Sequence, residues 1–147
     1  MQLIAATSPN LVKPSLPVDS IETLPALVST MFEAMKANHG VGLAAPQIGH
    51  FVRLAVIEWG GQRLVLVNPT ILYYFGKKES DLEGCLSLPG KLYKVKRFTS
   101  IRYQARDQDF NEAINASTGY LARIIQHEVD HLNGVLINQH GKSTSSY

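Results

Sequence analysis

Gln126-His127-Glu128-Val129-Asp130-His131 reads H-E-x-x-H, and it constrains the chain more than any other stretch. Four residues make a little over one helical turn, so on a helix His127 and His131 leave the same face and can hold one metal ion. Glu128 stands about 100° round from His127, beside an ion rather than on it, where it can take a proton from water. The flanks support a helix. Ser117 or Thr118 can cap its start, Tyr120, Leu121, Ile124, Ile125 and Leu132 follow at helical spacing, and Asn133-Gly134 can close it. Those apolar residues form one arc, with both histidines at its edge and Glu128 inside it. A carboxylate aimed into a core is costly unless it has a partner or a task there.

Two histidines leave a metal site incomplete. Peptidases built on this motif take a third ligand downstream, in one class a His six residues after the second. That position is Ile137, and the polar tail that follows ends His140-Gly-Lys-Ser-Thr-Ser-Ser-Tyr147. The ligand must then come from upstream, unless His140 folds back to supply it. The chain has one cysteine, Cys85, in Glu83-Gly84-Cys85-Leu86-Ser87. Alone it reads as a small buried hydrophobe. Beside the H-E-x-x-H helix it is a candidate for a Cys/His/His site with one position left for water. The glycine-rich stretch Gly40-Val41-Gly42-Leu43-Ala44-Ala45-Pro46-Gln47-Ile48-Gly49 lacks the G-x-x-x-x-G-K-[ST] pattern of a phosphate loop. A helix C-cap running into a tight turn accounts for it but leaves Gln47, a polar residue among small apolar ones, without a purpose.

Together the three stretches resemble the peptide deformylase family, whose motifs are G-x-G-L-A-A-x-Q, E-G-C-L-S and Q-H-E-x-D-H-L-x-G. Here they stand complete and in order at residues 40–47, 83–87 and 126–134. The resemblance covers most of the chain, to about Leu136; it is weak over the first twenty residues and absent from the tail. It implies sheets wrapped round a C-terminal motif helix, and hydrolysis of the N-formyl group of nascent peptides that begin with formyl-methionine. It implies Cys85, His127 and His131 as metal ligands, Glu128 as general base and then acid, and the Gln47 amide with the Leu86 N–H as donors to the oxyanion. Backbone groups of Val41, Gly42 and Gly84 would bind an extended peptide. Val41, Glu83, Tyr120, Arg123, Ile124 and His127 would line the pocket for its first side chain. One thiolate and two imidazoles suit zinc, whereas the resemblance implies Fe(II) as the native ion, with nickel or cobalt as active substitutes. Two positions depart from the family. Arg123 stands where an apolar residue is usual, and is expected as a solvated arginine whose stem covers the pocket rim; the alternative is that its charge changes which side chain is accepted. The tail lacks the helical periodicity of the segment by which many bacterial relatives dock on the ribosome, so docking by that route is not expected.

The rest of the chain suits this reading. Its 147 residues are enough for one domain, and a net charge of +2 makes no case for nucleic acid or an acidic membrane. No apolar stretch is long enough to span a bilayer, and the start lacks the pattern of a secretory signal. One cysteine cannot form an internal disulfide, which fits a reducing compartment, the cytoplasm of a bacterium or of a virus-infected one, with a processed organelle form also open. The chain is expected to be a monomer. Residues 1–19, with three prolines between 8 and 19, are expected as an irregular arm, and 137–147 as a short polar tail. A helix is expected from Ser20–Thr23 to Asn38, with Met31, Phe32 and Met35 in the core and His39 a solvated cap residue. Short strands are expected at 52–58, 63–68, 71–75, 92–97, 100–105 and 110–116. Trp59-Gly60-Gly61-Gln62 would turn the first hairpin, and Gly76-Lys77-Lys78 and Asp107-Gln108-Asp109 would turn later ones. Helix, many strands, helix argues an α+β fold with mostly antiparallel sheets. A metallopeptidase and a non-catalytic peptide-binding homologue are the other readings.

Overall fold

The computed structural model describes residues 2–146, with residues 144–146 described by their backbone alone. Met1 and Tyr147, at the ends of the expected arm and tail, lie outside the described residues. Helix α1 spans Leu24–Ala37 and helix α2 Gly119–Leu132. The strands are β1 (Gly42–Ala44), β2 (Leu54–Trp59), β3 (Gln62–Cys85), β4 (Leu88–Arg106), β5 (Glu112–Thr118) and β6 (Ser143–Ser146). They form one antiparallel sheet in the order β1-β2-β3-β4-β5, with β6 on β4. The α+β architecture, with the motif helix near the C-terminus, is the one expected.

Strand β2 reads Leu54-Ala55-Val56-Ile57, a continuous apolar run, because it is covered on both faces. Leu54 and Val56 pack with Val28, Met31, Phe32 and Met35 of α1. Ala55 and Ile57 face the other way and pack with Ala122, Ile125, Val129 and Leu132 of α2. Ile125 and Leu132 are fully buried, each worth about 1.5–3 kcal/mol of apolar burial. The motif helix is thus clamped against the sheet along its apolar arc. Thr118 stands at its N-cap without a side-chain capping bond, and Ser117 belongs to β5, so the expected cap is replaced by a turn at Gly119 (φ 67°). At the other end Asn133 and Gly134 (φ 78°) close the helix, and Arg53 Nη1 donates to Leu132 O and Asn133 Oδ1.

Several expected short strands are pieces of two long ones. β3 leaves β2 at Asn68 (φ 51°), turns a corner through Pro69, and continues along β4. Asn68 holds the corner by accepting from Val18 N and donating to Val18 O. Gly76-Lys77-Lys78 is not a turn. It is a bulge in β3, with Gly76 at φ 76° and so near β4 that a Cβ would come 2.5 Å from Thr99 Oγ1. The turns at 60–61 and 107–109 stand where expected: both glycines have positive φ, and Asp107 Oδ1 accepts from Asp109 N and Asn111 N.

The arm is tied down. Ile4 N donates to Gln47 O and Ala6 N to Ser87 O, so three residues link two of the family-like stretches. In the polar tail, Ile137 is buried and β6 pairs with residues 91–93. Among the described residues no helix is long and apolar enough to cross a membrane.

Candidate metal and peptide site

Three elements converge on one point. α2 presents His127 and His131, the Leu86-Ser87 turn between β3 and β4 presents Cys85, and the 3₁₀ turn Ala45–Ile48 after β1 presents Gln47. The Cys85 sulfur and one ring nitrogen from each histidine lie within 4.8 Å of one another, all three side chains being buried or nearly so. Bonds of about 2.0–2.3 Å to a shared ion put ligand atoms roughly 3.5 Å apart, so the cluster needs only to tighten. Cys85 Sγ is 3.4 Å from His131 Nε2, and His131 Nδ1 is buried with no partner among the described residues. Burial holds the His131 imidazole well below its usual range, hence neutral and able to ligate. His127 is the reverse. Burial opposes its protonation, yet hydrogen bonds to Cys85 and Glu83 overcome this and push it up to about 10. A ring between a sulfur and a carboxylate sits where positive charge is favoured, whether a proton or a cation supplies it. A soft sulfur, two imidazoles and this local field fit a divalent ion. His140 does not fold back to the cluster; its Nε2 lies 3.6 Å from Asp130 Oδ2.

Glu83 organises the far side of His127. Its Oε1 accepts from His127 Nδ1 (3.0 Å) and Arg97 Nη2 (2.9 Å), and its Oε2 from Arg97 Nε (2.6 Å) and Arg123 Nη1 (2.7 Å). Burial alone would raise its pKa, but the bonds from His127 and Arg97 and their charge hold it well below the usual carboxylate range. An ionised carboxylate only accepts, so His127 carries its proton on Nδ1 and turns Nε2 to the cluster.

Arg123 corrects the expectation of a solvated arginine. It is 8% exposed and its guanidinium also donates to Val95 O and Glu79 O, at 2.9 and 2.8 Å. The ion pair to Glu83 and two carbonyls on β3 and β4 outweigh the hydration it gives up. Arg97 had no assigned role in the sequence, although it follows Tyr93 and Val95 at every second position of β4, all three facing inward. Ser87 was also missed; its hydroxyl accepts from Gln47 Nε2 at 3.1 Å.

In front of the cluster lies a cavity of about 210 Å³. It is lined by Cys85, His127 and Glu128, by Gly40, Val41, Gly42 and Gln47 in and around β1, by Glu83, Gly84 and Leu86 at the end of β3, and by Tyr120, Arg123 and Ile124 of α2. His39, exposed and at φ 58°, also lines it. Gln47 is pinned, its Oε1 accepting from Ala44 N and its Nε2 donating to Ser87 Oγ and, at 3.6 Å, to Cys85 Sγ. Glu128 is 3% exposed and its Oε1 has no partner among the described residues. Burial pushes its pKa up to about 7, against the lowering charge of His127. Gly42 makes room for it, since a Cβ there would stand 2.5 Å from Glu128 Oε2.

β1 is an edge strand. Glu58 N donates to Val41 O, and Gly42 pairs across from Ile57, so by antiparallel alternation Val41 bonds into the sheet while the Gly42 N–H and C=O face the open edge. That edge borders the cavity. Of the Val41 backbone groups, expected to bind peptide, the carbonyl is engaged within the sheet, and Val41 lines the cavity.

The sequence pattern described as Polypeptide deformylase matches residues 1–146. A peptide deformylase of Dictyoglomus thermophilum is 46% identical over 116 residues, covering 79% of this chain and 75% of the relative. Peptide deformylase 1 of Clostridium perfringens is 46% identical over 126 residues, covering 84% and 85%. Among solved structures, the peptide deformylase of Thermotoga maritima superimposes with a TM-score of 0.93 at 35% identity, covering 96% of this chain and 97% of that one. The Synechococcus elongatus enzyme in complex with actinonin gives 0.93 at 35% identity, covering 96% and 80%. With its three stretches brought to one cavity and relatives matched along nearly its whole length, the chain belongs to the polypeptide deformylase family.

Proposed function

We propose that the chain hydrolyses the N-formyl group from formyl-methionine at the start of newly made polypeptides. As a member of the family it is an enzyme, a peptide deformylase by kind. The observation that carries the reading is the buried Glu128 carboxylate, its Oε1 unpartnered among the described residues, beside the Cys85/His127/His131 cluster and lining a cavity that borders an open strand edge.

Cys85, His127 and His131 would hold one divalent ion, for which we infer Fe(II), with nickel, cobalt or zinc able to take its place. Such an ion supplies Lewis acidity, lowering the pKa of a water and polarising the formyl carbonyl. Glu128 takes a proton from the attacking water as its oxygen bonds to the formyl carbon, and returns that proton to the amine nitrogen as the C–N bond breaks; a pKa near 7 suits both halves of the task. Gln47 Nε2 and the Leu86 N–H donate to the oxygen as it gains charge. Gln47 is pre-set for this by Ala44 and Ser87, so no reorganisation is needed in the reaction. The peptide extends along β1, bonding to Gly42 and, on the other side, to Gly84. Its first side chain enters among Val41, Glu83, Tyr120, Arg123 and Ile124. A reduced thiolate ligand and a substrate made by translation both suit the cytoplasm.

The test is amine release from formyl-Met-Ala-Ser by protein reconstituted anaerobically with Fe(II), Ni(II) or Zn(II). Release with iron or nickel that is lost in Cys85→Ala is the expected result. Stoichiometric metal binding with no release from any loaded form would overturn the reaction.

A further inference from the structure

The ladder of β3 and β4 sorts charge between its two faces. Paired residues of an antiparallel ladder point the same way, and neighbours along a strand point opposite ways. Glu79, Asp81 and Glu83 pair with Arg97, Val95 and Tyr93, all three of them buried, so the carboxylates of this stretch stand on the inner face. Lys94, Lys96 and Phe98 alternate with those buried residues and pair with Leu82, Ser80 and Lys78 on the outer face. Further along, Arg102 alternates with buried Ile101 and Tyr103 and pairs with Tyr73 of β3 and Ala116 of β5. Lys78, Lys94, Lys96 and Arg102 are exposed, and among the described residues none of the four is in an ion pair. Lys78 Nζ lies 4.9 Å from the centre of the Phe98 ring, and Tyr73 is 65% exposed. A net charge of +2 makes no case for a polyanion. The register nevertheless gathers four cations and two rings on one open sheet face, with no carboxylate among the paired positions.

We propose that the outer face of the β3–β4 ladder docks a single-stranded segment of RNA, its phosphates on Lys78, Lys94, Lys96 and Arg102 and its bases against Phe98 and Tyr73. Cations that track a backbone, with rings between them on which any base can stack, are what a single strand needs from a surface. An open antiparallel sheet presents both on one plane. A duplex keeps its bases stacked inside and has no use for the rings. The stripe from Lys94 to Arg102 is about 27 Å long at roughly 3.4 Å a residue, room for a few nucleotides. None of the four cations lines the cavity in front of Cys85, so docking and hydrolysis are separable. The choice of RNA over DNA rests on the formyl-peptide reading above, because RNA is the polyanion present where polypeptides are made; the charge pattern stands without it.

The experiment is fluorescence polarisation of a labelled oligouridine of about twelve nucleotides with the full, metal-loaded chain, from about 50 to 200 mM salt. Binding should weaken with salt at a log–log slope of about 0.7 per phosphate held, or about 2–3 for three or four contacts. The double variant K94E/K96E should bind at least about tenfold more weakly with a flatter slope, and Y73A about fivefold more weakly. Both should keep the wild-type turnover of formyl-Met-Ala-Ser. K13E/K36E makes the same change of net charge at exposed lysines outside the ladder and should bind as the wild type does. No polarisation change at the lowest salt overturns the proposal. So does an equal loss in K13E/K36E, equally tight binding of duplex RNA, full binding by Y73A, or capture by phosphatidylglycerol vesicles without binding of RNA. Absence of turnover in a chain that binds the oligouridine overturns the hydrolytic reading instead, so the two failures are distinguishable.

Discussion

Two buried glutamates stand on either side of His127 and are treated in opposite ways. Glu83 lies in a charged cluster, with four donors from Arg97, Arg123 and His127 on its two oxygens. Glu128 lies one residue along α2 from His127, 3% exposed, with Oε1 unpaired among the described residues. Both are removed from water, so burial raises both; what separates them is the donors, which hold Glu83 well below the usual range and leave Glu128 at about 7. The difference supports the proposed division of roles, with Glu83 holding His127 and Glu128 moving the proton. A carboxylate that must stay charged is given partners, and one that must exchange a proton is denied them.

The comparison breaks most strongly at Glu128. Glu128→Gln keeps the shape and removes the base, so kcat should fall by about 10²–10⁴-fold while bound metal, measured by atomic absorption, stays stoichiometric. Unchanged turnover would mean that another group moves the proton. Glu83→Gln should do the opposite. It leaves Arg97 and Arg123 buried with one carboxylate fewer, which should cost about 3–5 kcal/mol in urea unfolding, and it loosens the His127 ring, weakening metal affinity by about 10–100-fold. A Glu83 variant of normal stability but absent chemistry would reverse the assignment of the two residues.

pH sharpens the contrast, because the two shifts have opposite sign. The folded pKa of Glu83 is depressed, so its contribution is present above the unfolded value of about 4.5 and is lost as pH falls below it. The folded pKa of Glu128 is raised, so its contribution is present below about 4.5 and is lost as pH rises through about 7. In metal-free protein Glu128→Gln should therefore raise the thermal midpoint at pH 8 and change it little at pH 5. An equal effect at both pH values would show that Glu128 ionises like a solvated carboxylate. The smallest change is Gly42→Ala, whose methyl would meet Glu128 Oε2 at 2.5 Å and Ile124 at 3.2 Å and so force the carboxylate to shift. We expect a loss of about tenfold or more in kcat/KM with little change in stability, misplacements of this kind being costly to chemistry.

The reactive half of this comparison was legible in the sequence and the supporting half was not. The period of α2 placed His127, Glu128 and His131, and it placed Glu128 inside the apolar arc. The same period also puts Arg123 four residues before His127 and eight before His131, on the face of the proposed ligands, although its charge argues for a solvated side chain. What buries Arg123 is Glu83, forty residues away in sequence, and local spacing holds no trace of that pairing. Arg97 sits in a run of lysines on β4, where only the inward alternation with Tyr93 and Val95 marks it. In the fold, the hairpin at Gly60-Gly61 was readable because both residues must take positive φ. The long β3 was not, because Asn68-Pro69 and Gly76, which look like strand ends, are a corner and a bulge inside one continuous strand.

The most direct measurement is a pH titration of the side-chain carboxyl carbons of Glu83 and Glu128 by ¹³C NMR in metal-free protein, each assigned with its Gln variant. The account predicts that Glu128 titrates near 7, while Glu83 stays ionised until the protein itself unfolds in acid. Titration of both near the ordinary glutamate value would contradict it, because the surroundings would then not distinguish the carboxylate that holds His127 from the one proposed to move the proton.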